Sequence, residues 1–137
     1  MRRFFLRAKI HGCIVTEASQ DYVGSLTLDR DLLDAAGLCP FEQVDVYNIS
    51  RGGRFRTYLI EGARGRGQVC VNGAAAHLAR RGDRIIIAAY CQLEKAEMAS
   101  HVPRLVFVDG ENRPISLEEA RRSRSRSGEG SRRVAQS

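Results

Sequence analysis

A mainly β domain with one core is what this sequence predicts, and three observations carry the prediction. Short stretches in which apolar and polar residues alternate with period two recur between turn signals, helical patterning is confined to two brief stretches, and 137 residues are the size of one domain. A hydrophobic fraction of 43% and a charged fraction of 28% are ordinary for a folded soluble chain, which excludes disorder throughout. No apolar run approaches the ~20 residues that cross a bilayer, and charged Arg7 and Lys9 follow Leu6 where a signal peptide would stay apolar. The expected location is the cytoplasm, with no membrane partner.

Taken in order, Leu6 to His11 alternates as a first strand. Val44 to Tyr47 alternates, Arg51-Gly52-Gly53-Arg54 turns, and Phe55 to Leu59 returns as a hairpin partner. Gln68 to Val71 is another short strand, Arg84 to Tyr90 is apolar on both faces and so central, and Arg104 to Val108 ends at the turn Asp109-Gly110-Glu111-Asn112. Asp29 or Asp31 can cap a helix that stops at Gly37, and Asn72-Gly73 can open a helical turn through Ala79. The expected result is a small closed β structure with two or three short helices.

The net charge of +6 is unevenly spread: seven Arg and three Glu from Arg113 onward, against fifteen Lys+Arg and thirteen Asp+Glu before it. Residues 120–137 alternate Ser and Arg with almost no large apolar group, so we expect a disordered basic tail behind a domain of residues 1–119. A nucleic-acid-binding arm is the weaker reading of that tail, since no aromatic residue interleaves with its arginines to stack on bases. Cys13, Cys39, Cys70 and Cys91 stand alone at long spacings, without a His partner, and read as indifferent thiols rather than a disulfide framework or a metal site.

Generic catalytic motifs are missing: there is no Gly-x-Ser-x-Gly, no Gly-rich phosphate loop and no His-Glu-x-x-His. Taken singly, Tyr22, Thr57, Tyr58, Arg54 and Asn72 are ordinary strand or turn residues. Their joint order changes the reading. Tyr22-Val23-Gly24-Ser25, Arg54-Phe55-Arg56-Thr57-Tyr58 and Asn72-Gly73-Ala74-Ala75-Ala76, with Lys9, His11 and Thr16 ahead of them, resemble the pyruvoyl-dependent aspartate α-decarboxylases from about Arg3 to about Asp109. Gln20, just upstream of the Gly-Ser pair, departs from the apolar residue many relatives carry, and the Arg/Ser tail has no counterpart in the pattern.

The resemblance implies a double-psi β-barrel, a homotetramer with active sites between protomers, and an inactive precursor that cuts itself at Gly24-Ser25 into residues 1–24 and 25–137. Chemistry agrees: the Ser25 hydroxyl can attack the Gly24 carbonyl, which has no side chain in the way, and the resulting ester can eliminate and hydrolyse to a pyruvoyl group. That group, derived from Ser25, would be the cofactor. It would form a Schiff base with L-aspartate and accept electrons as CO2 leaves, giving β-alanine for pantothenate synthesis. The resemblance makes Tyr58 the proton donor and puts Thr57, Gly73, Ala74 and Ala75 at the substrate, with Thr57 also stabilising the oxyanion on Gly24. Arg54 and Lys9 are the candidate cations for the two carboxylates, Arg54 first for its planar fork. His11, Tyr22 and Asn72 are candidate supporting residues. No metal is expected, and a helper protein in maturation is left open. The rival readings are a basic barrel that binds nucleic acid and a pseudo-enzyme that never matures.

Overall fold

A computed structural model of the chain describes residues 1–21 and 25–127. Nine strands form one ladder: β1 Arg3–Ile14, β2 Glu17–Ser19, β3 Leu26–Asp29, β4 Gln43–Asn48, β5 Arg54–Gly62, β6 Val69–Asn72, β7 Arg84–Leu93, β8 Arg104–Val108 and β9 Pro114–Ile115. Three α-helices, α1 Arg30–Ala36, α2 Lys95–Met98 and α3 Leu117–Ser127, and a 3-10 helix Gly73–His77 complete it. The class is mainly β, as the alternation predicts.

The ladder runs β2-β6-β3-β5-β4-β7-β1-β8-β9. β7 is central, flanked by β1 and β4, and it buries Ile85, Ile87 and Ala89 on one face while Ile86 and Tyr90 lie on the other, more open one. Three parallel pairs, β1 with β8, β2 with β6 and β3 with β5, sit among antiparallel neighbours and separate the fold from a simple meander. Val15 and Thr16 carry the chain from one half of the ladder to the other, Val15 N donating to Asp83 O and Thr16 N to Val69 O at 2.9 and 2.8 Å. Both halves fill one apolar cluster that includes Ile10, Val46, Ile85 and Ile87 from one side and Leu26, Leu28, Leu59 and Val71 from the other.

Local chemistry explains the ends. Asp29 caps α1, accepting from Asp31 N at 2.8 Å, and Gly37 closes it in the left-handed conformation at φ 67°, where a β-carbon would clash. Cys13 and Cys70 are buried, Cys91 is half-buried and Cys39 is exposed, all as free thiols.

One expectation is corrected. Residues 120–127, expected to be disordered, continue α3 instead. Ser116 Oγ accepts from Glu119 N at 3.1 Å and its hydroxyl donates back to the Glu119 carboxylate, so a Ser-x-x-Glu cap nucleates a helix that arginine, a good helix former, can extend. The rest of the expected tail, residues 128–137, lies outside the described residues. No helix among the described residues is long and apolar enough to cross a membrane.

Candidate functional site

Ser25 stands immediately before β3, where two ladders fix the neighbouring Leu26: parallel to Leu59 of β5 and antiparallel to Val71 of β6. That register places Ser25 alongside Tyr58 and opposite Asn72, whose N–H donates to the Ser25 carbonyl at 2.9 Å. Ser25 is only 3% exposed and adopts φ 86°, in the left-handed region that a residue with a β-carbon enters at a cost of order 1–3 kcal/mol. A buried serine in a strained conformation, held by its neighbours, is the outstanding local feature of the chain.

Asn72 is fixed from both ends. The Cys70 thiol donates to its Oδ1 at 3.0 Å, and its Nδ2 donates to Thr27 Oγ1 at 3.2 Å. With its amide so committed, Asn72 gives no side-chain cap to the 3-10 helix that follows, whose first residue, Gly73, takes φ 65°. The uncapped first turn, Gly73, Ala74 and Ala75, therefore presents its N–H groups without a large side chain in the way. His77, at the far end of that turn, lies with Nδ1 3.4 Å from Gln20 Nε2 and ties it to the segment before Ser25.

Tyr58 and Thr57 are consecutive on β5 and point to opposite faces. Tyr58 is 39% exposed, an apolar body with its hydroxyl in reach of solvent, while Thr57 is half-buried beside Leu59. Both flank the level of Ser25, one from each side of the strand.

A second group forms a row across four strands. His11 of β1 lies beside Ile86 of β7, which lies beside Tyr47 of β4, which lies beside Arg54 of β5. Lys9 is two residues from His11 on the same face of β1, opposite Ala88. The Arg54 guanidinium stacks on the Tyr47 ring at 4.9 Å, and the Tyr47 and Tyr90 hydroxyls share a hydrogen bond of 2.6 Å. That bond, then burial, pushes the Tyr47 phenol up to about 12, so it stays neutral under its cation. Sequence reasoning missed Tyr47 and Tyr90: alternation marks them as outward-facing, but nothing local says that they pair.

The structure thus sets Ser25 beside Tyr58 and opposite Asn72, with Thr57 on the other face of β5 and Gly73, Ala74 and Ala75 following Asn72 along the chain, and groups Lys9, His11 and Arg54 elsewhere. Tyr58 lies four steps along the strand from Arg54, about 13 Å at ~3.3 Å per residue. Tyr22 and Gly24 lie outside the described residues.

Comparison with known proteins gives one consistent result. Residues 1–115 match the sequence pattern of the aspartate decarboxylase family. The chain is similar to the aspartate 1-decarboxylase of Syntrophobacter fumaroxidans, 52% identical over 85% of this chain and 94% of that protein. It is 54% identical to that of Neisseria meningitidis over 82% of this chain and 89% of the other, and 46% identical to that of Thermoanaerobacter pseudethanolicus over 85% of this chain and all of the other.

Proposed function

Because this chain belongs to the aspartate decarboxylase family and is a carboxy-lyase acting on aspartate, we propose that it converts L-aspartate to β-alanine and CO2 with a pyruvoyl group made from its own Ser25. The product would feed pantothenate, and so coenzyme A, synthesis. The observation that carries this reading is Ser25 itself, buried and at φ 86° between Tyr58 and Asn72. A strained residue is a reasonable place for the backbone to break, and its neighbours are already held in position.

In the proposed maturation the Ser25 hydroxyl attacks the Gly24 carbonyl, and the acyl group passes from nitrogen to oxygen. Loss of the Ser25 α-proton then expels the Gly24 carboxylate, leaving dehydroalanine at the head of residues 25–137. Water replaces its nitrogen, which departs as ammonia, and a ketone remains. Thr57, on β5 beside this point, is the assigned donor to the oxyanion.

The pyruvoyl group would supply a carbonyl that joins the substrate amine and draws in the electron pair released with CO2. The chain's own residues do the rest. Tyr58, a phenol on β5 beside Ser25, returns the proton to the former α-carbon. Small residues Gly73, Ala74 and Ala75 let the substrate approach backbone N–H groups. Arg54 grips the side-chain carboxylate rather than the one that leaves, since a firm hold on the departing group would stabilise the ground state more than the transition state. Family membership supports a homotetramer, with the site completed by a neighbouring copy, in the cytoplasm.

Intact mass of the purified protein tests the reading. We expect residues 1–24 and a blocked 25–137 fragment, and from Ser25→Ala one uncut chain that releases no CO2. A Ser25→Ala protein that still decarboxylates aspartate sinks it.

A further inference from the structure

Cys70 and Asn72 stand two residues apart on one face of β6, and the antiparallel register sets Thr27 of β3 opposite Cys70. Cys70 and Asn72 are each 5% exposed, so their polar groups must find partners within the protein. They do: the Cys70 thiol donates to Asn72 Oδ1 at 3.0 Å, and Asn72 Nδ2 donates to Thr27 Oγ1 at 3.2 Å. The Asn72 amide is thereby pinned at each end. Its backbone N–H, in turn, donates to the Ser25 carbonyl at 2.9 Å from the last residue of β6, just before Gly73 turns the chain at φ 65°. A strand end that runs into a glycine has freedom to pivot, and the pinned side chain removes it. Burial, and then the Glu17 carboxylate that β2 places beside Cys70, raise the thiol pKa, so the sulfur keeps the proton it donates; Glu17 is also the other acceptor in reach of that proton.

The Ser25 carbonyl oxygen matters to the maturation proposed above, on which this inference rests. Once the acyl group has moved to the Ser25 side-chain oxygen, the Ser25 α-proton leaves and passes to water. Its electron pair spreads onto the Ser25 carbonyl, whose oxygen carries negative charge until the Cβ–O bond breaks. The Gly24 carboxylate departs with the electrons of that bond, and a Cα=Cβ double bond remains. A donor already held 2.9 Å from the Ser25 oxygen lowers the barrier to this elimination. The preceding acyl shift places its charge on a different atom, the Gly24 oxygen.

We infer that Cys70 is a positioning residue for self-cleavage: its S–H, by locking the Asn72 amide, keeps the Asn72 N–H aimed at the Ser25 carbonyl oxygen while the α-proton leaves. The role requires a small hydrogen-bond donor at residue 70 rather than the redox or nucleophilic chemistry of sulfur.

Intact mass of full-length wild type, Cys70→Ala and Cys70→Ser, incubated with and without hydroxylamine under mild neutral conditions, tests this. Hydroxylamine cuts the ester and releases residues 1–24 as a hydroxamate, with a 25–137 fragment that still begins with Ser25. We expect Cys70→Ala to form the ester normally and to eliminate about tenfold more slowly, so the hydroxylamine-cut fraction rises and the blocked 25–137 fragment comes late. Cys70→Ser keeps a donor of similar size and should mature as the wild type does. Glu17→Ala removes only the competing acceptor and should leave both steps unchanged. The inference is overturned by a Cys70→Ala chain that matures at the normal rate, by one slowed without build-up of ester, which marks lost packing alone, or by a Cys70→Ser chain as slow as Cys70→Ala. Build-up of ester in Glu17→Ala overturns it as well, since Glu17 would then be the partner that counts. A wild-type chain that stays uncut at Gly24 defeats the proposed function and this inference together, whereas a cut wild type beside a normally maturing Cys70→Ala defeats this inference alone.

Discussion

The surroundings of Ser25 and the row from His11 to Arg54 are built in opposite ways. Ser25 is enclosed and positioned by backbone: two ladders converge on Leu26, and a Cys70 to Asn72 to Thr27 relay fixes the residue that holds the Ser25 carbonyl. The row is side chains on an outer sheet face, where a stacked cation and a pair of phenols keep order with solvent close by. Bond-breaking at a main-chain atom needs sub-ångström placement that only backbone pairing gives, whereas gripping a carboxylate needs charge that can be presented from a surface. On the proposed function these two tasks fall to different parts of one chain, and an assembly of copies would be one way to join them.

Next to Ser25, Tyr58 should give the largest effect. Tyr58→Phe keeps the ring and removes only the proton, so kcat should fall by roughly 10²- to 10⁴-fold while KM changes little. Steady-state CO2 release on fully cleaved protein measures it. If kcat holds, the proton comes from elsewhere and the surroundings of Ser25 lack the donor assigned to them.

On the open face, Arg54→Lys keeps the charge but loses the fork, and KM should rise roughly ten- to a hundredfold, far more than kcat falls. A sharper form breaks the comparison itself. Inactive Ser25→Ala and inactive Arg54→Ala chains, produced together, should regain part of the activity if the two regions meet across a protomer boundary. No recovery on mixing would put both regions to work within one chain.

How much of this was legible in the sequence follows from length and period. β1, β4, β5, β7 and β8 run five to twelve residues, long enough for alternation to register. β2, β3 and β9 have two to four residues, too few to carry a period, and their pairing is decided by distant partners. α3 was hidden because the Arg/Ser composition outweighed a cap that Ser116 and Glu119 spell out. At the candidate site, the order of motifs pointed to Ser25, Tyr58 and Asn72, but the positive φ of Ser25, the thiol on Asn72 and the stacking of Arg54 on Tyr47 arise only when remote strands meet.

Beneath the row, Asp83 anchors the turn between β4 and β5. Its buried carboxylate accepts from Asn48 Nδ2, Arg51 Nε and Arg80 N, each at 2.9 Å. Burial alone would raise its pKa from 3.8; the bonds from Asn48, Arg80 and Arg51 outweigh it and hold the carboxyl below the usual range. Its contribution is therefore complete above about pH 4 and lost as pH falls through the lowered folded value. Asp83→Asn should cost on the order of 2 kcal/mol at pH 7, read by urea unfolding, and less at pH 3. Ser25 cleavage should be untouched, since this anchor serves the open face.

The smallest expected effect separates ring from hydroxyl at Tyr47. Tyr47→Phe leaves an aromatic face under the Arg54 guanidinium and removes only the bond to Tyr90, while Tyr47→Leu removes the face as well. A cation on an exposed ring is worth about 0.5–1 kcal/mol, so Tyr47→Leu should raise KM roughly two- to fivefold with kcat near its original value. Tyr47→Phe should stay within a factor of two, because the Tyr90 hydroxyl can turn to water. If the two variants behave alike, the phenol pair rather than the stacked ring orders Arg54, and the open face holds its cation by hydrogen bonding, as the enclosed side holds Asn72.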